Sequence, residues 1–246
     1  MSLYEWLYPL GVVLLGYIVL GLTGFGSALV IVPLLAWRWP LPEVVALTLL
    51  MDVPASALHS GLNWRQVQWR ELRRLLLGLL VGTLLGLWLV QHLQARWPLL
   101  VLGLYVAGVG VNALRPVAAT HLRHPAPLWA GPVGTAIGMV ELIFGTAGPL
   151  VVAWLSRRLR DVQQMRASTP MIITVAASTV LAGMAWDGRL SSAVLWQRWG
   201  MLIGVALAGV WLGHRVAHRV PVVRLRQIIC GLLVVSGLML AFRALR

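Results

Sequence analysis

An apolar stretch runs from residue 3 to residue 36 and contains GLTGFGSALVIVPLL (21–35), which puts three glycines into six positions and then a proline. As one straight helix its 34 residues would reach roughly 50 Å at about 1.5 Å per residue, far beyond a bilayer core of about 30 Å. The stretch is therefore not a single crossing. Two short helices meeting at an irregular turn account for it, with the glycine cluster as the turn. A second over-long stretch, about 125 to 155, has the same form around Gly145 and Gly148.

The rest of the chain supplies the bilayer. Of its residues 59% are hydrophobic and only 11% charged, and apolar runs can be read at 41–60, 72–90, 98–114, 167–186, 198–213 and 222–242. Such continuous runs call for helices, because a closed barrel would show short alternating strands. The formal charge of +13 comes with twenty basic residues, all Arg, nearly all in the short connections between runs. That placement reads as membrane topology, with the lipid bilayer and not nucleic acid as the partner. Trp37, Trp39, Trp64, Trp69, Trp97, Trp129, Trp186, Trp196 and Trp199 fall at or near run ends, where an indole anchors in the headgroup region. The sole cysteine, Cys230, reads as packing, and the N-terminal segment lacks the basic n-region of a cleaved signal.

The chain also matches itself. A shift of 121 residues places GFGSALVIVPLL (24–35) over GTAGPLVVAWLS (145–156), and sets Ala46 and Thr48 on Ala167 and Thr169. At 122, GLLVGTLLG (78–86) overlies GMLIGVALA (200–208), and at 123 Pro98 and Gly108 fall on Pro221 and Gly231. The expected fold is an all-α integral membrane protein of two homologous repeats, 1–120 and 121–246, forming one membrane domain. Each is a glycine-broken re-entrant or paired short helix followed by three transmembrane helices. Arginine placement adds the orientation. If each broken stretch enters and leaves on the same face, one side of the membrane takes 14 Arg and the other 6. That bias makes the second repeat inverted and puts both termini outside.

Irregular backbone at membrane depth is tolerated only when buried in protein or lining a polar cavity. The breaks are therefore candidate sites. Ser27 reads as the N-cap of the helix after the first break, and Gly148 followed by Pro149 as cap and first residue after the second. Free amides and the positive dipole end of each half-helix would then hold an anion at Gly24, Gly26, Ser27, Gly145, Thr146 and Gly148.

These residues resemble a known family. GLTGFGSALVIVPLL, its second copy ELIFGTAGPLVVAWL, the following VVALTLL (44–50) and RASTPM (166–171), and the duplicated layout are similar to the sulfite exporter TauE/SafE permeases. The resemblance implies a multi-pass permease of the bacterial inner membrane for a small sulfur-containing anion such as sulfite or an organosulfonate. The second copy departs from the family pattern at Ala147 and Trp154, which stand for a glycine and a proline.

Buried ionisable groups are the remaining candidates. Asp52 lies mid-segment and Glu141 four residues before Gly145. A proton or coupling-ion role fits either, as does a neutral carboxyl bonded to a neighbour. Arg166 fits a substrate contact or a topology signal. Thr48, Ser168 and Thr169 fit hydrogen bonding to substrate or helix packing. His59, near a run end, is expected at the interface. Two other classes remain open: a passive channel for another small solute, and an intramembrane serine hydrolase at Ser27, for which no partner histidine can be argued. No metal-ligand spacing, phosphate loop or cofactor fingerprint occurs, so no cofactor is expected, and a homo-oligomer is left open.

Overall fold

A computed structural model describes residues 3–61, 64–92, 96–114, 127–159 and 161–216, with the single positions 234, 238 and 242. The run at 222–242 with Cys230 otherwise lies outside the described residues. Nine α-helices are described: α1 (Leu3–Thr23), α2 (Ser27–Leu35), α3 (Leu41–Gly61), α4 (Trp69–His92), α5 (Arg96–Leu114), α6 (Ala130–Phe144), α7 (Gly148–Ser156), α8 (Val162–Trp186) and α9 (Ala193–Val216). Five of them, α1, α3, α4, α8 and α9, are long and apolar enough to cross a membrane. The protein is an all-helical integral membrane protein.

Helix α4 shows why the fold needs lipid. It buries Leu72, Leu75, Gly78, Leu79, Gly82, Thr83 and Gly86 on one face. Leu77, Leu80, Val81, Leu84, Leu85 and Trp88 are exposed on the other, so beyond its charged first turns the helix is apolar all round. Apolar side chains on both faces are stable only where the outer solvent is hydrocarbon.

Hydrophobic driving force cannot hold such helices together in lipid, so close backbone packing must. A Cβ on Gly82 would collide with the Thr135 carbonyl, and one on Gly138 would lie 2.5 Å from the Leu79 carbonyl. In the same way Gly21 of α1 meets the Val210 carbonyl of α9, and Gly209 lies against Tyr17. Contacts advance together along each pair, Gly78 to Gly131 and then Gly86 to Leu142, or Tyr17 to Gly209 and then Gly21 to Gly213. Thus α4 runs parallel to α6, and α1 parallel to α9. Between these two pairs α3 packs on α8.

The first broken stretch folds as a hairpin. Tyr8 Oη donates to the Leu34 carbonyl at 2.8 Å, and the Trp6 and Trp39 rings stand 6.5 Å apart, so the stretch enters and leaves on one face. The break falls where the glycines place it, but the arms are unequal. α1 has 21 residues, itself of spanning length, and α2 only 9. The first arm is long because, apart from Pro9 in its second turn, nothing interrupts helical pairing until Gly24. The second hairpin has arms of 15 and 9 residues, and it returns to the face where α4 begins: Arg158, just past α7, pairs with Glu71 at 2.7 Å. Trp154, which departs from the family pattern, is buried there and donates its indole N–H to Glu71 at 3.2 Å.

Two glycines that the self-match aligned with Gly78 and Gly82 do not share their role. A Cβ added at Gly200 or Gly204 would meet nothing within 4 Å, whereas Gly209 and Gly213 carry the α9 crossing. Gly82→Ala must push α4 off the α6 backbone, with an expected loss of about 1–3 kcal/mol, while Gly204→Ala is expected to be neutral. Thermal midpoints in detergent check this, and equal midpoints for the two variants would contradict the crossing as described.

Candidate functional site

Each first arm ends on left-handed glycine. Gly24 and Gly26 have φ of 85° and 96°, and Gly145 has φ of 65°. The Gly24 N–H still donates to the Leu20 carbonyl at 2.7 Å and the Gly145 N–H to the Glu141 carbonyl at 2.8 Å, after which the chain turns away. A side chain at these three positions would be strained whatever the space around it.

The second arms then start toward one another. Gly26, Ser27 and Ala28 from the first break and Gly145, Thr146, Ala147 and Gly148 from the second line one small cavity, together with Asp52, Glu141 and Ile173. The two breaks touch: a methyl on Gly148 would lie 3.4 Å from the Phe25 side chain. The space is about 10 Å³ for the centre of a water-sized body, room for about one water. First-turn amides have no acceptor within their own helix, so two positive helix ends face this cavity.

Two carboxyls complete the lining. Asp52 is 2% exposed, and its Oδ1 accepts from Tyr17 Oη at 2.7 Å and from Ser27 Oγ at 2.9 Å. Glu141 is 1% exposed; its Oε2 accepts from the Ala147 N–H at 2.7 Å, and its Oε1 is buried with no hydrogen-bond partner among the described residues. From α5, Tyr105 Oη donates to the Thr146 carbonyl at 3.2 Å and steadies the second break.

The two approaches to this cavity differ. On the face of Arg38 and Arg189 a chamber of about 790 Å³ opens between the helices. Val45 and Leu142 line it, and Val45 lies against Gly145, so the chamber and the break cavity are one side chain apart. On the opposite face the approach is closed. His59 Nε2 lies 3.3 Å from the Gly21 carbonyl, Arg166 Nη2 donates to the Leu22 carbonyl at 2.7 Å, and Ser60 Oγ to the Ala167 carbonyl at 3.4 Å. Ser168 Oγ accepts from the Gln68 N–H at 2.9 Å.

Matched against known families, residues 9–240 fit the sulfite exporter TauE/SafE family. The chain belongs to that family. The probable inner membrane transporter protein TsaS of Comamonas testosteroni is 43% identical over 195 residues, covering 79% of this chain and 81% of its own. No solved structure gives a significant match. This TauE/SafE member is thus a multi-pass transporter of the inner membrane and not an enzyme.

Among the residues singled out by sequence, the structure brings together Gly26, Ser27, Gly145, Thr146, Gly148, Asp52 and Glu141. Gly24 instead packs on the Arg166 carbonyl, which a methyl would approach to 2.9 Å. Arg166 is engaged with the end of α1, and Thr48 and Thr169 spend their hydroxyls on the carbonyls of Val44 and Met165, each 2.8 Å away in their own helices. None of the three lines the cavity.

Three sequence expectations need correction. Ser27 is the first helical residue and not the cap; Gly26 holds the cap position, because its left-handed φ makes the turn and the Ser27 hydroxyl is taken by Asp52. Likewise Ala147 caps α7, so Gly148 and Pro149 are its first and second residues. His59 is 1% exposed and not interfacial, since the ends of α1 and α9 cover the end of α3. Sequence reasoning also missed Tyr17 and Tyr105, although a tyrosine in the middle of an apolar run is itself a polar group seeking a partner.

Ser27→Ala should therefore cost about 1–3 kcal/mol by removing a donor from a buried carboxyl, and Tyr17→Phe a similar amount. Thr169→Val, which removes only a bond to its own helix, should cost less. Unfolding midpoints of the three variants decide, and a ranking with Thr169→Val worst would reject the Asp52 network.

Proposed function

We propose that this protein is a secondary permease for a small sulfur-containing anion such as sulfite or an organosulfonate, with the anion bound between the first turns of α2 and α7 when these part to widen the one-water cavity described here. The reading rests above all on one observation: both breaks line a single cavity, so the positive ends of two helices converge there with no cationic side chain among the described residues that line it. The family's description supplies the sulfur anion.

Two inverted repeats, 1–120 and 121–246, are the architecture this reading uses. It is supported by the opposite courses of the two hairpins. α1 starts beside Trp39 and ends beside Arg166, whereas α6 starts where α4 starts and ends at the chamber. Arginine distribution orients the molecule: Arg65, Arg70, Arg73, Arg74, Arg157, Arg158, Arg166 and Arg215 lie toward one end of the bundle and Arg38, Arg96, Arg189 and Arg198 toward the other. The first end is then cytoplasmic, and the chamber opens outward.

An anion cannot share so small a cavity with two ionised carboxylates, because unlike screening in water the low local dielectric leaves their repulsion nearly whole. Binding is therefore expected to bring a proton onto the pair, which couples the anion to the proton gradient. Glu141 is the better coupling residue, since its Oε1 has no partner among the described residues while Asp52 is tied to Tyr17 and Ser27. The narrowness of the cavity and the closed face at Arg166 favour a carrier over an open channel.

Proteoliposome uptake of sulfite, sulfate, thiosulfate and methanesulfonate, with a cation control and with or without a proton gradient, tests the reading. Transport of cations alone would overturn it. Glu141→Gln should keep its bond to Ala147 but lose the response to the gradient, and Asp52→Asn should be milder; wild-type gradient dependence in both would remove the coupling role. Gly148→Ala asks only that Phe25 yield slightly, whereas Gly148→Asp puts a negative charge at the anion's place. Anion binding should survive the first and vanish in the second, and equal binding in both would move the site elsewhere.

A further inference from the structure

The chamber that leads to the break holds a charge imbalance of its own. Arg38, Arg189 and Glu43 line it, and Asp187 and Arg198 pair with the last two. Arg198 Nη1 pairs with Glu43 Oε2 at 2.7 Å, and Arg189 Nε pairs with Asp187 Oδ2 at 2.6 Å. Arg38 has no carboxylate partner among the described residues; its guanidinium carbon stands 4.8 Å over the Tyr8 ring, which orients the group without neutralising it. One positive charge with no carboxylate partner among the described residues thus lines a cavity of about 790 Å³ whose inner wall, at Val45 and Leu142, is apolar.

A guanidinium stays charged at any physiological pH and offers parallel N–H donors that match two oxygens of a tetrahedral oxyanion. The break cavity has the opposite design: backbone donors and carboxyls, with no cation. An anion arriving from bulk water would meet the full charge first and the helix ends afterwards.

We propose that Arg38 is a separate docking site for oxyanions, sulfite or sulfonate headgroups among them, at which the substrate is captured in the chamber before it passes Val45 and Leu142 to the break. This rests on the anion-permease reading for its role in transport, but the docking itself can be read without transport. The charge raises the local anion concentration at the mouth, an effect that salt screens, so it acts on capture and not on the later steps.

The test uses the full chain in proteoliposomes. Phenylglyoxal modification of Arg38 is followed by peptide mass spectrometry with added sulfate, with methanesulfonate, and with chloride at matched ionic strength, sulfite being left out because it adds to the reagent's aldehyde. Sulfate and methanesulfonate are expected to slow modification of Arg38 several-fold relative to chloride, in wild type and equally in Gly148→Asp, whose break no longer binds anion. Unchanged modification under both anions would overturn the docking site, whether or not the protein transports them. For the anion that wild type carries, Arg38→Gln should raise KM about tenfold, a loss of about 1.4 kcal/mol in capture, with kcat unchanged and a weaker dependence on salt. Arg38→Lys should recover part of that loss. A fall in kcat with KM and salt dependence unchanged would reject capture at Arg38 while leaving the break intact as the transport site.

Discussion

Backbone amides and carbonyls have no water to turn to inside a bilayer, so every interruption of a helix there must be enclosed by other parts of the chain. That single requirement organises this molecule. Two stretches break their helices at Gly24–Gly26 and at Gly145, and each break is placed against the other. Phe25 covering Gly148, Tyr105 holding the Thr146 carbonyl and Glu141 accepting from Ala147 are all ways of keeping unpaired polar backbone away from lipid. The cavity between the breaks is what remains after this enclosure, and its chemistry follows from the enclosing groups.

Enclosure by carboxyls has a second effect. Asp52 and Glu141 are costly to bury, yet each satisfies part of a break: Asp52 fixes Ser27 at the start of α2, and Glu141 fixes the cap of α7. Structure and proposed coupling are therefore carried by the same atoms. A change in the charge of either group would also change how firmly a half-helix is anchored, so the proposed coupling would act on the breaks mechanically as well as by charge.

Much of this was legible in the sequence, and for identifiable reasons. Over-long apolar stretches with clustered glycine announce a break whatever the tertiary context, and intramembrane carboxyls announce a cavity. The break positions and both carboxyls are found where those signals put them. Partnerships across the bundle were not legible. Ser27 has the composition of a cap, and only the approach of Asp52 from α3, 25 residues away, turns its hydroxyl to another use. His59 lies near a helix end in sequence, and only the packing of α1 and α9 over that end takes its side chain out of contact with solvent. The glycines of 200–208 matched those of 78–86 by position, while the crossing itself slid along α9 to Gly209 and Gly213.

The glycine-packed pairs have a consequence for how the protein is made. α1 lies along α9, whose residues come almost at the end of the described chain, while α6 lies along α4 from the first half. Each hairpin is thus clasped by a helix from the other half. The Gly78 and Gly82 face of α4 meets its partner once α6 is made, but the Gly21 face of α1 has its partner only when α9 is synthesised. The α4–α6 crossing can therefore form before the α1–α9 crossing, which is the later of the two to close.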